Sequence, residues 1–158
     1  MPDNLTTYLH DHLAGARFAI SLLADLAEQK LDGDLAEFAS MLRREIEEDK
    51  SMLEGVLARL ESHPSIIKEA SAWLTQKVGR IKFQLDSEPF SIFEALEVLS
   101  LGILGKLALW NALDTLPTEH EALQQLDLQH LVDRARRQYA EVERRRIGYA
   151  EQVLVQSQ

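Results

Sequence analysis

Apolar residues recur along most of the chain at alternating intervals of three and four positions, which is the period of one face of an α-helix. The first such run begins after Asp3 and Asn4, either of which can cap a helix, and continues to about Lys30. Its inward face is predicted to be Leu5, Leu9, His12, Ala16, Ala19, Leu23 and Leu26. The pattern therefore predicts a long amphipathic helix at the start of the chain.

Four more helices are predicted from the same pattern and from its breaks. The second follows the turn Asp32-Gly33-Asp34, where we expect a left-handed Gly33 and capping by Asp34, and it ends near Glu61. Its stripe is Leu35, Phe38, Leu42, Glu45, Asp49, Met52 and Val56. Breaks at prolines then separate three helices, which run from Pro64 to the break at 86–89, from Ser91 to Leu116 and from Asp127 to Val155.

The lengths of these helices predict how they are connected. The first, second, fourth and fifth helices are each about 25 to 29 residues, whereas the third is about 20 residues and can climb back along a bundle. That crossover would let the second and fourth helices run parallel. We therefore predict an all-α fold, a single domain over residues 1–158, in which four helices form the bundle and the third is an additional crossover helix.

Charge and composition limit the kinds of partner that the chain is expected to bind. The formal charge is −9, which opposes non-specific binding to nucleic acid or to an anionic membrane. Six arginines on the fifth helix have acidic neighbours at helical spacing, so we expect a salt-bridged face there. The most apolar stretch, Leu99 to Leu113, contains Lys106 and is short for a membrane span. The chain has no cysteine and no apolar signal region at its start, which predicts a cytoplasmic protein.

Three segments resemble the ferritin-like superfamily, in particular its small uncharacterised bacterial members. They are Tyr8-Leu-His-Asp-His-Leu-Ala-Gly-Ala16, Glu45-Ile-Glu-Glu-Asp-Lys50 and Glu94-Ala-Leu-Glu-Val-Leu-Ser-Leu-Gly102. The resemblance implies a ferritin-like four-helix bundle. Active members of that superfamily hold two metal ions with a Glu from each of two helices and a Glu-x-x-His pair from each of the others. This chain contains no Glu-x-x-His.

Polar and charged residues on the predicted inward stripes are the candidate site, and the candidates for a buried polar network are His12, Glu45, Asp49, Glu97 and Lys106. Glu45 and Asp49 lie halfway along the second helix, where charge is costly unless it is paired or ligating. Lys106 lies on the inward stripe of the fourth helix, and a lysine ammonium can supply the charge that a metal ion would otherwise bring. We therefore expect Lys106, Glu45 and Asp49 to form an ionic core. We also expect a buried His12 hydrogen-bonded to Asp49.

Two functions remain open at this stage. The first is a non-catalytic bundle without a cofactor, acting as an interaction or structural protein, with a homo-oligomer or a protein partner as its context. The alternative is a metal-binding oxidoreductase or storage protein that holds iron or manganese through His12, Glu45, Asp49 and Glu97. Against that alternative, Glu97 is expected opposite Arg145 or Arg146, in an ion pair. A small apolar ligand held between helices is a third, weaker hypothesis.

Overall fold

The computed structural model describes residues 3–30, 32–61, 85 and 87–155. This part of the chain forms four α-helices and a short 3₁₀ turn at Glu121–Leu123, and it contains no β-strand. The helices are α1 (Asn4–Ala27), α2 (Gly33–Leu60), α3 (Pro89–Leu113) and α4 (Leu128–Leu154). The predicted all-α class is confirmed. The predicted third helix falls on residues 62–84, which lie outside the described residues.

The start of α2 differs from the prediction. Asp32, not Asp34, is the N-cap, and its side chain accepts a hydrogen bond from the Leu35 backbone N–H at 3.0 Å. Gly33 is the first helical residue, and no glycine in the described part of the chain has a positive φ. The left-handed turn predicted at Gly33 is therefore wrong, because the Asp32 side chain already satisfies an amide of the first helical turn.

Three other helix ends shift by two or three residues, and one of them is the end of α3, at Leu113 rather than at the predicted Leu116. α1 stops at Ala27, about a turn before the predicted Lys30. Beyond Ala27 the residues are polar, and apolar packing provides most of the stability of a helix within a protein. α3 begins at Pro89 rather than at Ser91, since a proline in the first turn needs no backbone N–H.

The core consists of two apolar clusters at different heights in the bundle. The first cluster is built around Leu22–Leu26, Leu35–Ile46, Ile92–Ile103 and Val142. The second cluster is built around Leu9, Leu13, Leu53–Leu57, Leu109–Leu113 and Leu131–Ala135, and it includes Leu123 of the 3₁₀ turn. The starts of α2 and α3 share the first cluster and their ends share the second. These two helices therefore run parallel, and α2 ends at the opposite end of the bundle from the start of α3.

A polar layer separates the two clusters. Asp49, Arg134 and Gln138 are all buried. Asp49 and Gln138 lie between the two apolar clusters along their helices, whereas Arg134 lies within the span of the second cluster, between Val132 and Ala135. None of the described helices combines the length and the apolar character needed to cross a membrane. The polar layer is the one place in the described core where charge is concentrated, and it is where the candidate site lies.

Candidate functional site

Asp49 is the centre of the polar layer. Its side chain is 4% exposed, and each carboxylate oxygen accepts a hydrogen bond from a cation on another helix. Lys106 Nζ of α3 donates to Oδ2 at 2.6 Å, and Arg134 Nη2 of α4 donates to Oδ1. The Asp49 carboxylate on α2 is thus hydrogen-bonded to both α3 and α4.

A second branch connects Lys106 to Glu45 through an amide. Gln138 is 2% exposed, and its Oε1 accepts a hydrogen bond from Lys106 Nζ. Its Nε2 donates to Glu45 Oε2 at 2.7 Å. Glu45 lies at the edge of the layer with 25% of its side chain exposed, and its other oxygen accepts from Arg137 at 3.1 Å. Glu45 therefore belongs to the network without contacting Lys106 directly.

The buried part of the layer holds more positive than negative charge. Lys106 and Arg134 are 14% and 8% exposed at their side chains, and they share the single buried carboxylate of Asp49. The other partner of Arg134 is Glu48, at 2.9 Å, but Glu48 is 64% exposed and screened by water. Burial lowers the pKa of Lys106 below its ordinary value, and the charge of Asp49 offsets only part of that effect.

His12 does not take the place predicted for it. His12 and Asp49 line the same cavity, but no hydrogen bond joins the two side chains in the described part of the chain. Asp49 instead accepts hydrogen bonds from Lys106 and Arg134. His12 instead packs edge-on against Tyr8, with 4.6 Å between ring centroids. Burial lowers the pKa of His12, and the negative charge of Asp11 opposes that shift.

Glu97 is not part of the buried network. It is exposed on α3 and accepts a hydrogen bond from Arg146 at 3.2 Å, which is one of the two arginines expected opposite it. The alternative ligand set of His12, Glu45, Asp49 and Glu97 is therefore not brought together. Among the described residues, no group of three or more His, Asp or Glu side chains is placed to hold a metal ion.

A cavity of about 90 Å³ lies beside the polar layer, between α1, α2 and α3. Its walls are mostly apolar, and they come from both core clusters. The lining residues are His12, Gly15, Ala16, Ala19, Ile46, Asp49, Lys50, Leu53, Leu99, Gly102, Ile103, Lys106, Leu109 and Trp110. The cavity exists because α1 presents Gly15, Ala16 and Ala19 at this height, and such small side chains leave the space between the helices unfilled.

Four residues of the network were not among the candidate site residues from the sequence: Arg134, Gln138, Glu48 and Arg137. Arg134 and Gln138 are four residues apart and lie next to the apolar positions Leu131, Ala135 and Val142, so a polar pair on an inward stripe was the available signal. Glu48 gives no such signal, since it is one of several exposed acidic residues on α2.

The arginine-rich face of α4 is paired with carboxylates throughout. Each of Arg134, Arg136, Arg137, Arg144, Arg145 and Arg146 has an acidic partner within 4 Å. Some partners are local, as for Arg145 and Glu141 at 2.7 Å, whereas others are on α2 or α3. Arg134, Arg137 and Arg146 thus link α4 to α2 or α3 through ion pairs, whereas the partners of the other three arginines lie on α4 itself.

Comparison with known proteins adds no relative. No protein-family model matches the chain, and no curated protein and no solved structure matches it either.

Proposed function

We propose that this protein is a non-catalytic helical bundle of ferritin-like arrangement, which acts by association and not by metal-dependent chemistry. One observation carries the proposal: Lys106 and Arg134 both donate to Asp49 in the middle of the bundle. A divalent cation at this point would compete with two fixed positive charges for the same carboxylate. The network thus supplies the positive charge that bound metal ions supply in ferritin-like enzymes.

The order and direction of the helices support the ferritin-like part of the proposal. α1 and α2 are antiparallel, since His10 near the start of α1 bonds to Glu61 at the end of α2 at 2.7 Å. α2 and α3 are parallel, as the two core clusters show. This is the direction pattern of a bundle with one long crossover connection between its second and third main helices.

The outer face of α3 supports a role in association. This face, defined by Leu101, Leu104, Ala108 and Ala112, is exposed, and 64% of Leu101 and 40% of Leu104 are accessible. No charged residue of α3 is exposed between Glu97 and Asp114. On a chain with a formal charge of −9, an uncharged strip is where a second copy can approach with the least repulsion. The partner that fits this surface is therefore another copy of the chain.

Metal uptake tests the proposal directly. Protein purified without chelator is incubated with Fe(II), Mn(II) or Zn(II), freed of excess metal and analysed by elemental mass spectrometry. We expect no stoichiometric metal, because both oxygens of Asp49 are held by cations. Iron or manganese that is bound near stoichiometry by the wild type and by the surface control Glu37→Ala, but lost in Asp49→Ala, would overturn the proposal.

A further inference from the structure

The cavity beside the polar layer has the features of a small-molecule site whose ligand carries an acceptor. Its volume of about 90 Å³ is several times the roughly 10 to 15 Å³ that one water needs, and it is below the roughly 150 Å³ of an apolar cavity that binds benzene. The walls are apolar at Leu53, Leu99 and Leu109. The cavity therefore suits a short apolar chain with one polar end.

Hydrogen-bond donors outnumber free acceptors on the walls. An ammonium has three N–H donors. Lys106 uses one on Asp49 and one on Gln138, so a third has no acceptor among the described residues. Trp110 also lines the cavity, and its buried indole Nε1–H has no acceptor within the described ranges. Asp49, the only carboxylate among the described lining residues, already accepts a hydrogen bond from a cation at each of its two oxygens.

The charge of the polar layer, like its free hydrogen-bond donors, favours a ligand that carries an acceptor. Lys106, the cation of the layer that lines the cavity, shares the buried carboxylate of Asp49 with Arg134, so Asp49 neutralises it only in part. The other carboxylates of the layer, Glu45 and Glu48, are 25% and 64% exposed and therefore screened by water. Lys50 also lies on the wall, and it forms an ion pair with Glu54 at 2.7 Å. The negative charge of Glu54 is therefore already paired and does not repel an anionic ligand. A ligand carboxylate would therefore neutralise buried charge, whereas a ligand cation would add to it.

We propose that this cavity binds a short-chain aliphatic monocarboxylate, with its carboxylate at Lys106 Nζ and its chain between α1, α2 and α3. The site is independent of the proposed function, since it requires neither self-association nor the absence of metal. The rim of the cavity is open, because a Cβ built at Gly15 or at Gly102 meets no atom within 4 Å. A chain slightly longer than the cavity can extend past these two glycines.

The test uses ¹⁵N-labelled full-length protein titrated with butanoate, with butan-1-ol and butylammonium as probes of equal chain length. The readout is the indole N–H resonance of Trp110, assigned by its loss in Trp110→Phe. We expect a saturable shift with butanoate, a weaker effect with the alcohol and none with the ammonium. No saturable shift with butanoate, or equal shifts with butanoate and butylammonium, would overturn the proposal.

Two variants separate binding from folding. Lys106→Met should weaken butanoate binding at least about tenfold and abolish the preference for the anion over the alcohol. Gly102→Leu narrows the rim without touching the polar layer, and it should abolish binding while the protein stays folded. Gly148→Leu is its control, because Gly148 is an equally open helical glycine away from the cavity. Undiminished binding in Gly102→Leu would place the ligand elsewhere and overturn the proposal, even if Lys106→Met does not fold.

Discussion

At the scale of single residues, Asp32 joins the start of α2 to the end of α4. Its side chain caps α2 through the Leu35 N–H and accepts a hydrogen bond from the Tyr149 hydroxyl at 2.7 Å. The Tyr149 hydrogen bond, and then the Leu35 amide, lower the pKa of Asp32. Burial, together with this carboxylate, raises the pKa of Tyr149. The ionised form of Asp32 is therefore the form that stabilises the fold.

Replacing Tyr149 with Phe should lower the free energy of unfolding by about 1 to 2 kcal/mol at neutral pH, since a hydrogen bond to a charged acceptor is lost. Because the folded-state pKa of Asp32 lies below its unfolded value of about 4, this stabilisation is complete above pH 4. It is lost as the pH falls through the folded-state pKa. Urea unfolding across that range measures it, with Tyr139→Phe as control. A loss of stability in Tyr149→Phe that stays constant down to the onset of acid unfolding would contradict this account.

At the scale of elements, long polar side chains connect α2 to α4. Asp49 and Glu48 reach Arg134, and Glu45 reaches Arg137 and Gln138. Further along, the Arg145 guanidinium lies 3.6 Å from the ring centre of Phe38. The ion pairs near the polar layer are unequal in importance, because burial decides how much a lost partner costs.

We expect Asp49→Asn to be the most damaging single change in the layer. It leaves Lys106 and Arg134 buried without their shared carboxylate, and breaking a buried pair costs about 3 to 5 kcal/mol. Lys106→Met should cost less, since Arg134 still neutralises Asp49.

Glu48→Gln is the matched control on α2. Glu48 also bonds to Arg134 but is 64% exposed, so its replacement should cost less than about 1 kcal/mol. Urea denaturation of the three variants gives the order. Equal losses in Asp49→Asn and Glu48→Gln would show that the buried pairing is not what stabilises the bundle.

At the scale of the whole molecule, net charge and the outer face of α3 have opposite effects on self-association. The charge of −9 repels a second copy, whereas exposed Leu101 and Leu104 favour contact with one. Salt screens the repulsion but leaves the apolar contact, so self-association should increase with ionic strength.

Sedimentation velocity at about 0.05 M and about 0.5 M NaCl measures that balance. We expect the wild type to form a dimer whose fraction rises with salt and with protein concentration, and Leu101→Glu to remain monomeric. Met41→Glu adds the same charge at a residue of α2 that is 44% exposed and should still dimerise. A wild type that is monomeric under all conditions, or that dissociates in salt, would rule out this face as a self-interface.

Much of the fold was predictable from local information. Hydrophobic period and proline breaks placed the four described helices within about three residues of their observed ends, because a helix shows its buried face in its own sequence. Capping was harder to predict. Asp32 and Asp34 are equally good caps by residue type, and what distinguishes them in the folded chain is the Tyr149 hydroxyl of α4, which donates a hydrogen bond to Asp32.

The candidate site was likewise predictable in part from the sequence. The sequence alone determined that charge would lie on the inward stripes of two helices, at Asp49 and Lys106, since a polar residue in an apolar stripe is a local signal. Only the tertiary structure decided that Arg134 and Gln138 complete the network, that His12 is left without Asp49, and that Glu97 stays at the surface. The physical reason is that ion pairing between helices depends on their distance and rotation and on the reach of each side chain. The periodicity of a single helix contains none of these quantities.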